Sequence, residues 1–139
     1  MPRAPAPRSI GFLIFDGFQL LDAAGPIAAF EMPARGVSPP PYTLKVIAPE
    51  AGPVRSSCGV AMLADAIPRT ARFDTLIVAG GEGTRTAMLD KRVLALVRSQ
   101  QQHARRLCSV CSGAYILAAA GALEGKRATT HWRRSQDFA

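Results

Sequence analysis

The chain has 139 residues, of which 48% are apolar, so it is long enough to bury the core of one domain. Its formal charge is +7, and arginine carries most of it. No apolar run approaches the roughly 20 residues of a membrane-spanning helix, and we expect no membrane contact.

The first predicted segment, MPRAPAPR, is rich in Pro and Arg, and we predict a disordered tail over residues 1–8 and one domain over residues 9–139. The segment lacks the apolar run and cleavage site of a signal peptide, which predicts a cytoplasmic protein. The three cysteines are odd in number, and without an export signal they argue against a disulfide framework.

The predicted elements then alternate between strands and helices. In chain order they are a strand at 9–15, a helix at 19–31 with Pro26 in its first turn, a strand at 42–48, a hairpin over 54–63, a strand at 74–79, a helix at 84–103 with Asp90 as an internal N-cap, a strand at 106–110, a helix at 114–120 and a short strand at 127–132. The apolar face of the second helix is expected to contain Leu89, Val93, Leu96 and Val97. This alternation predicts an α/β fold with a mostly parallel sheet, and the chain ends where a further helix is expected to begin, so we expect a sheet that is incomplete at its C-terminus.

The most informative motif is Ser109-Val110-Cys111-Ser112-Gly113-Ala114. A buried strand ends at Val110 and a helix begins within a few residues, so Cys111 is predicted to lie on a tight turn like a nucleophile elbow. The helix N-terminus offers unpaired N–H groups and partial positive charge, which favour thiolate over thiol, and we predict that Cys111 is the most reactive of the three cysteines. The alternatives are a buried, inert cysteine, or a redox pair or half metal site made with Cys108.

Three further positions are candidates because the carboxyl ends of parallel strands share one rim of the sheet. Gly80 and Gly81 end a strand, and their N–H groups could hold an oxyanion beside Cys111. Asp22 opens a helix, where it could cap that helix or exchange a proton with the thiolate. His131 could join the site or be structural.

The basic charge favours contact with polyanions, but the arginines are scattered along the sequence. No stripe or recognition-helix pattern emerges. The sequence therefore favours an arginine-rich solvated surface over a DNA-binding face.

With these residues, the chain resembles the PfpI-like branch of the class I glutamine amidotransferase-like superfamily. The resemblance is strongest to the N-terminal sensor domain of GlxA-type, AraC-family transcriptional regulators. It rests on segments 11–22, 25–26, 52–57 and 80–81, and on the longest match, from Ser109 through Leu117 and on to Trp132.

The resemblance implies a flavodoxin-like three-layer α/β sandwich, a homodimer, and a small-molecule ligand. The implied ligand pocket contains Asp22, Gly80, Gly81, Cys111, Ser112 and His131. It implies contact with DNA only through a C-terminal domain that is absent from this chain, and no metal or cofactor is expected.

Isocyanide hydratases of the same superfamily are similar over nearly the same residues and give the alternative function. The resemblance then implies that Cys111 attacks the isocyanide carbon, that Asp22 handles the proton, and that water releases an N-formamide. The peptidases of the wider family carry histidine directly after the nucleophile, so Ser112 weighs against peptidase activity.

Overall fold

The computed structural model describes residues 5–139, so residues 1–4 of the predicted tail lie outside the described part. The strands are β1 (Arg8–Leu13), β2 (Tyr42–Ala48), β3 (Gly52–Arg55), β4 (Ala61–Ala66), β5 (Thr75–Val78) and β6 (Arg106–Ser109). The helices are α1 (Leu20–Ala34), α2 (Thr84–Ala87), α3 (Lys91–His103), α4 (Ala114–Ala119) and α5 (Ser135–Phe138). The first strand thus begins at Arg8, one residue before the predicted start.

The six strands form one sheet in the order β3-β4-β2-β1-β5-β6. All neighbours are parallel except β3 and β4, which form the predicted antiparallel hairpin. The central strands are apolar on both faces because helices cover both sides. Phe12 contacts Phe30 of α1 on one face, whereas Phe73 packs over Gly11 on the other. This arrangement confirms the predicted α/β fold with a mostly parallel sheet.

The long predicted helix at 84–103 is interrupted, and α3 begins anew after Asp90. The Asp90 side chain accepts the N–H of Arg92 at 2.8 Å, which caps α3 as predicted. Leu89 falls in the interruption and is 73% exposed, so its predicted place on the apolar face is wrong.

Two other local predictions are also wrong. Helix α1 begins at Leu20, which places Pro26 inside the helix rather than in its first turn. Residues 127–132 do not form a strand: the chain is irregular there and then forms a 3₁₀ turn over Trp132–Arg134.

No helix within residues 5–139 has both the length and the apolar character needed to cross a membrane.

Candidate functional site

Cys111 lies on a strained turn between strand β6 and helix α4. The turn is a 3₁₀ segment over Cys111–Gly113. The φ angle of Cys111 is 55°, in the left-handed region, and no other non-glycine residue in the described range 5–139 has a positive φ. Residues other than glycine rarely adopt this conformation, and such strain concentrates at functional sites.

The strained turn is held by close backbone packing on one side and by a hydroxyl on the other. A Cβ added to Gly113 would lie 2.5 Å from the carbonyl oxygen of Val78, so only glycine fits there. The Thr130 hydroxyl donates to the carbonyl of Cys111 at 3.1 Å. The predicted sharp turn therefore depends on Gly113 for its approach to strand β5.

The Gly80-Gly81 turn packs directly against the cysteine turn. A Cβ on Gly80 would lie 2.6 Å from the backbone nitrogen of Ser112. The N–H of Gly81 donates to the Ser112 hydroxyl at 3.0 Å, and that hydroxyl lies 3.0 Å from the hydroxyl of Thr84. Sequence reasoning missed Thr84, because nothing in its local pattern distinguishes it from an ordinary helix residue.

Asp22 joins both turns. It is only 8% exposed, and its Oδ2 accepts the N–H of Gly80 at 3.0 Å. The side chain of Cys111 is close enough to influence the pKa of the Asp22 carboxyl. The N-cap position of α1 is Gln19, which makes no side-chain capping hydrogen bond. Asp22 lies within the first turn of the helix and is therefore not its N-cap. The structure therefore brings together the two residues that the sequence nominated for proton transfer.

Burial dominates the electrostatics of Asp22 and raises the pKa of its carboxyl above the usual range. The Gly80 N–H, the Cys111 side chain and His131 act in the opposite direction and only reduce this pKa rise. His131 is thus close enough to influence Asp22. Its Nδ1 accepts the N–H of Arg133 at 3.2 Å, which fixes the imidazole at the start of the 3₁₀ turn.

The oxyanion role expected for Gly80 and Gly81 is not supported by this arrangement. The N–H of Gly80 is donated to Asp22 and the N–H of Gly81 to Ser112. Both donors are therefore already engaged by side chains of the site itself.

A cavity of about 460 Å³ adjoins the two turns. Its walls include Gly81, Thr84, Leu89, Ser112, Tyr115 and Arg134. Of the six residues predicted for a ligand pocket, only Gly81 and Ser112 line this cavity. Asp22, Gly80, Cys111 and His131 are not among the residues that line it.

A model of the DJ-1/PfpI family matches residues 8–139. The chain belongs to the DJ-1/PfpI family. Among solved structures of this family, a ThiJ/PfpI family protein from Pseudomonas syringae superposes with a TM-score of 0.79 and 31% identity, covering 95% of this chain and 57% of that one.

Curated relatives of this DJ-1/PfpI domain include both classes of protein that the sequence suggested. The isonitrile hydratase of Pseudomonas putida is 38% identical over 128 residues, which cover 88% of this chain and 52% of the enzyme. The HTH-type transcriptional regulator GbdR of Pseudomonas aeruginosa is 32% identical over 132 residues, which cover 94% of this chain and 36% of the regulator. The regulator GlxA of Rhizobium meliloti also matches at 32% identity and is covered over 40% of its length. The chain therefore spans about half or less of the length of these three relatives. A Streptomyces lividans protein, named by its position in the cpoL 5′ region, is 39% identical, and the chain covers 94% of its length.

The DJ-1/PfpI domain carries two thiols besides Cys111. Cys58 is exposed in the β3–β4 hairpin. Its sulfur lies 3.2 Å from the hydroxyl of Ser56, and this hydrogen bond is the main cause of the lowered pKa of Cys58. Cys108 is half-buried in β6, and burial raises the pKa of its thiol. The conditions that favour a thiolate are therefore met at Cys58, a position that sequence reasoning did not favour.

The three cysteines are free thiols. Within the described range, no group of three or more His, Cys, Asp or Glu side chains is arranged to hold a metal ion. The chemistry that the arrangement offers is that of a thiol beside a buried carboxyl group and an imidazole.

Proposed function

We propose that the chain is a ligand-sensing regulatory domain of a GlxA-type transcriptional regulator. One observation carries the proposal: the 460 Å³ cavity touches the strained turn through Ser112 and Gly81 but is not lined by Cys111. Cavities of about 300–1,000 Å³ suit small-molecule ligands. A compound in this cavity contacts the turn without reaching the thiol, which favours binding over turnover.

The walls of the cavity suggest the class of ligand. Arg85 and Arg134 supply positive charge, and Glu82 and Asp137 supply negative charge. Met88 and Leu89 add apolar surface. The Tyr115 hydroxyl donates to the carbonyl of Arg134 at 3.1 Å, which ties the wall of the cavity to α4. A small zwitterionic molecule with a short apolar part fits this combination of charges.

The matches to HTH-type regulators support the same proposal, because they extend over 92–94% of this chain. Binding would be transmitted through the hydrogen bonds of Ser112 to the Gly80-Gly81 turn. Homodimer formation, and DNA contact through a C-terminal domain outside this chain, are predictions that belong to this proposal.

A thermal-shift screen of small carboxylates, amines and zwitterions tests the proposal. Leu89 lines the cavity and is 73% exposed, so Leu89→Trp should place an indole across the cavity mouth. Leu63 on β4 is 75% exposed and serves as the matched control in Leu63→Trp. We expect the affinity of a compound found in the screen to fall at least about tenfold, or 1.4 kcal/mol, in Leu89→Trp only. Equal affinity in both variants would contradict binding in this cavity.

The buried carboxyl of Asp22 close to Cys111 favours a second candidate, an isonitrile hydratase-like enzyme. In that reaction the Cys111 sulfur bonds to the isonitrile carbon, and the thiol proton passes through Asp22 to the same carbon. Water then adds to this carbon and the C–S bond breaks, so that R–NC and H₂O yield R–NH–CHO and the free thiol. A raised pKa suits Asp22 to this proton transfer.

A further inference from the structure

Four arginines that are far apart in the sequence meet at the end of the sheet opposite Cys111. All four are exposed. Arg8 begins strand β1, Arg106 begins β6 and follows Arg105, and Arg72 lies shortly before β5. We call these four residues the basic cluster.

Backbone hydrogen bonds fix the cluster in place. The N–H of Asp74 donates to the carbonyl of Ser9 at 2.9 Å, and the N–H of Arg106 donates to the carbonyl of Asp74 at 3.0 Å. The Ser9 hydroxyl donates to the carbonyl of Arg72 at 3.3 Å. The arginines are therefore adjacent because strands β1, β5 and β6 are neighbours in the sheet.

The cluster has a surplus of positive charge. Asp74 accepts two hydrogen bonds from Arg105, at 2.9 and 2.8 Å, and lies 4.0 Å from Arg8. These contacts lower the pKa of Asp74, the bonds from Arg105 most strongly, so it stays ionised. Asp74 thus pairs with Arg8 and Arg105 only among residues 5–139, so one negative charge is set against the four positive charges of the cluster, a surplus of about three. Within the described part of the chain, the side chains of Arg72 and Arg106 form no recorded hydrogen bond or ion pair.

We propose that the basic cluster binds the phosphate backbone of duplex DNA, beside any contact made through a separate DNA-binding domain. Strands β1 and β6 are two strand spacings apart, about 10 Å, so the four arginines extend from a short stretch of backbone across the sheet end. Arginine pairs with phosphate through charge-assisted hydrogen bonds. The choice of DNA among polyanions rests on the proposed function as part of a transcriptional regulator.

The test compares two double variants of equal net charge. Arg72→Ala/Arg106→Ala removes half of the cluster and leaves the Asp74–Arg105 pair and the backbone bonds intact. Lys91→Ala/Arg127→Ala removes two exposed positive charges elsewhere. Binding of the full chain to a labelled duplex is followed by fluorescence anisotropy between about 50 and 200 mM salt.

We expect the cluster variant to bind at least about tenfold more weakly at the low salt concentration, and its log–log salt slope to be smaller by about 2, since each phosphate contact contributes about 0.9. The control variant should keep nearly the full slope. Equal losses in both variants, no binding by the wild type, or tighter cluster-dependent binding to single-stranded RNA would each overturn the inference. Cluster-dependent DNA binding supports it even if the cavity at the opposite rim binds nothing, so the two proposals fail separately.

Discussion

Replacing Asp22 with Asn removes a charge from the site and keeps its shape. The amide oxygen can still accept the N–H of Gly80, now 3.0 Å from Oδ2, and the amide nitrogen resembles a protonated carboxyl oxygen beside Cys111. The variant therefore isolates the effect of ionisation. Replacing Asp22 with Ala instead leaves the buried N–H of Gly80 without an acceptor, which should cost about 1–3 kcal/mol at every pH.

The sign of the pH effect follows from the raised pKa of Asp22. Below the unfolded-state pKa of about 3.9, the carboxyl is protonated in both states. Above that value the unfolded chain releases its proton first, so the free energy of unfolding of the wild type falls until pH passes the folded-state pKa. The free energy of unfolding of Asp22→Asn, relative to wild type, should therefore rise with pH, by about 1.4 kcal/mol for each unit by which the pKa is raised.

Urea unfolding at a series of pH values between about 4 and 8 measures this difference. Asp90→Asn is the matched control: hydrogen bonds from Arg92 lower the pKa of Asp90, so its carboxyl stays ionised in both states above about pH 4, and the stability of this variant relative to wild type should not change with pH over this range. A relative stability of Asp22→Asn that falls as pH rises would refute the assignment of Asp22 as a buried, reluctantly ionised carboxyl group.

Two other predictions concern the turns and the thiols. Gly80→Ala should destabilise the fold by about 1–3 kcal/mol, as overpacking does, because its Cβ would lie 2.6 Å from a backbone nitrogen of the cysteine turn. The control is Gly25→Ala, where the added Cβ would make an ordinary contact with the Leu21 side chain at 3.8 Å, and an unfolding midpoint of Gly80→Ala no lower than that of the control would count against the prediction. Iodoacetamide labelling near neutral pH, mapped by mass spectrometry, should modify Cys58 first and Cys108 last, because Cys58 is exposed with a lowered pKa and the pKa of Cys108 is raised. Labelling of Cys111 ahead of Cys58 would restore the order that the sequence predicted and favour the enzymatic alternative.

The sequence was a sufficient guide to the sheet and to the rim that carries the site. The alternating segment 42–48 identifies a strand, and β2 has the predicted bounds. Asp22 and Cys111 both follow buried strands, and parallel strands place such positions on one rim. Their pairing could be anticipated for this reason.

Contacts that depend on the tertiary arrangement could not be anticipated. Asp90 caps α3, so the helix predicted at 84–103 is interrupted at this residue and Leu89 is exposed. The local hydrophobic periodicity could not reveal this interruption. The N–H groups of Gly80 and Gly81 appeared free until the structure showed which side chains occupy them. The arginines of the basic cluster looked scattered because only the strand order brings them together.

Hydration of a simple alkyl isonitrile by the full chain is the most direct test of the claim that the site binds a ligand without turning it over. Formation of the N-formamide is followed by chromatography for the wild type, with Cys111→Ala as the control. We predict no formamide above the level of the control. Saturable formation that is abolished in Cys111→Ala, and reduced about 10²–10⁴-fold in Asp22→Asn, would contradict the sensor proposal and establish the enzyme.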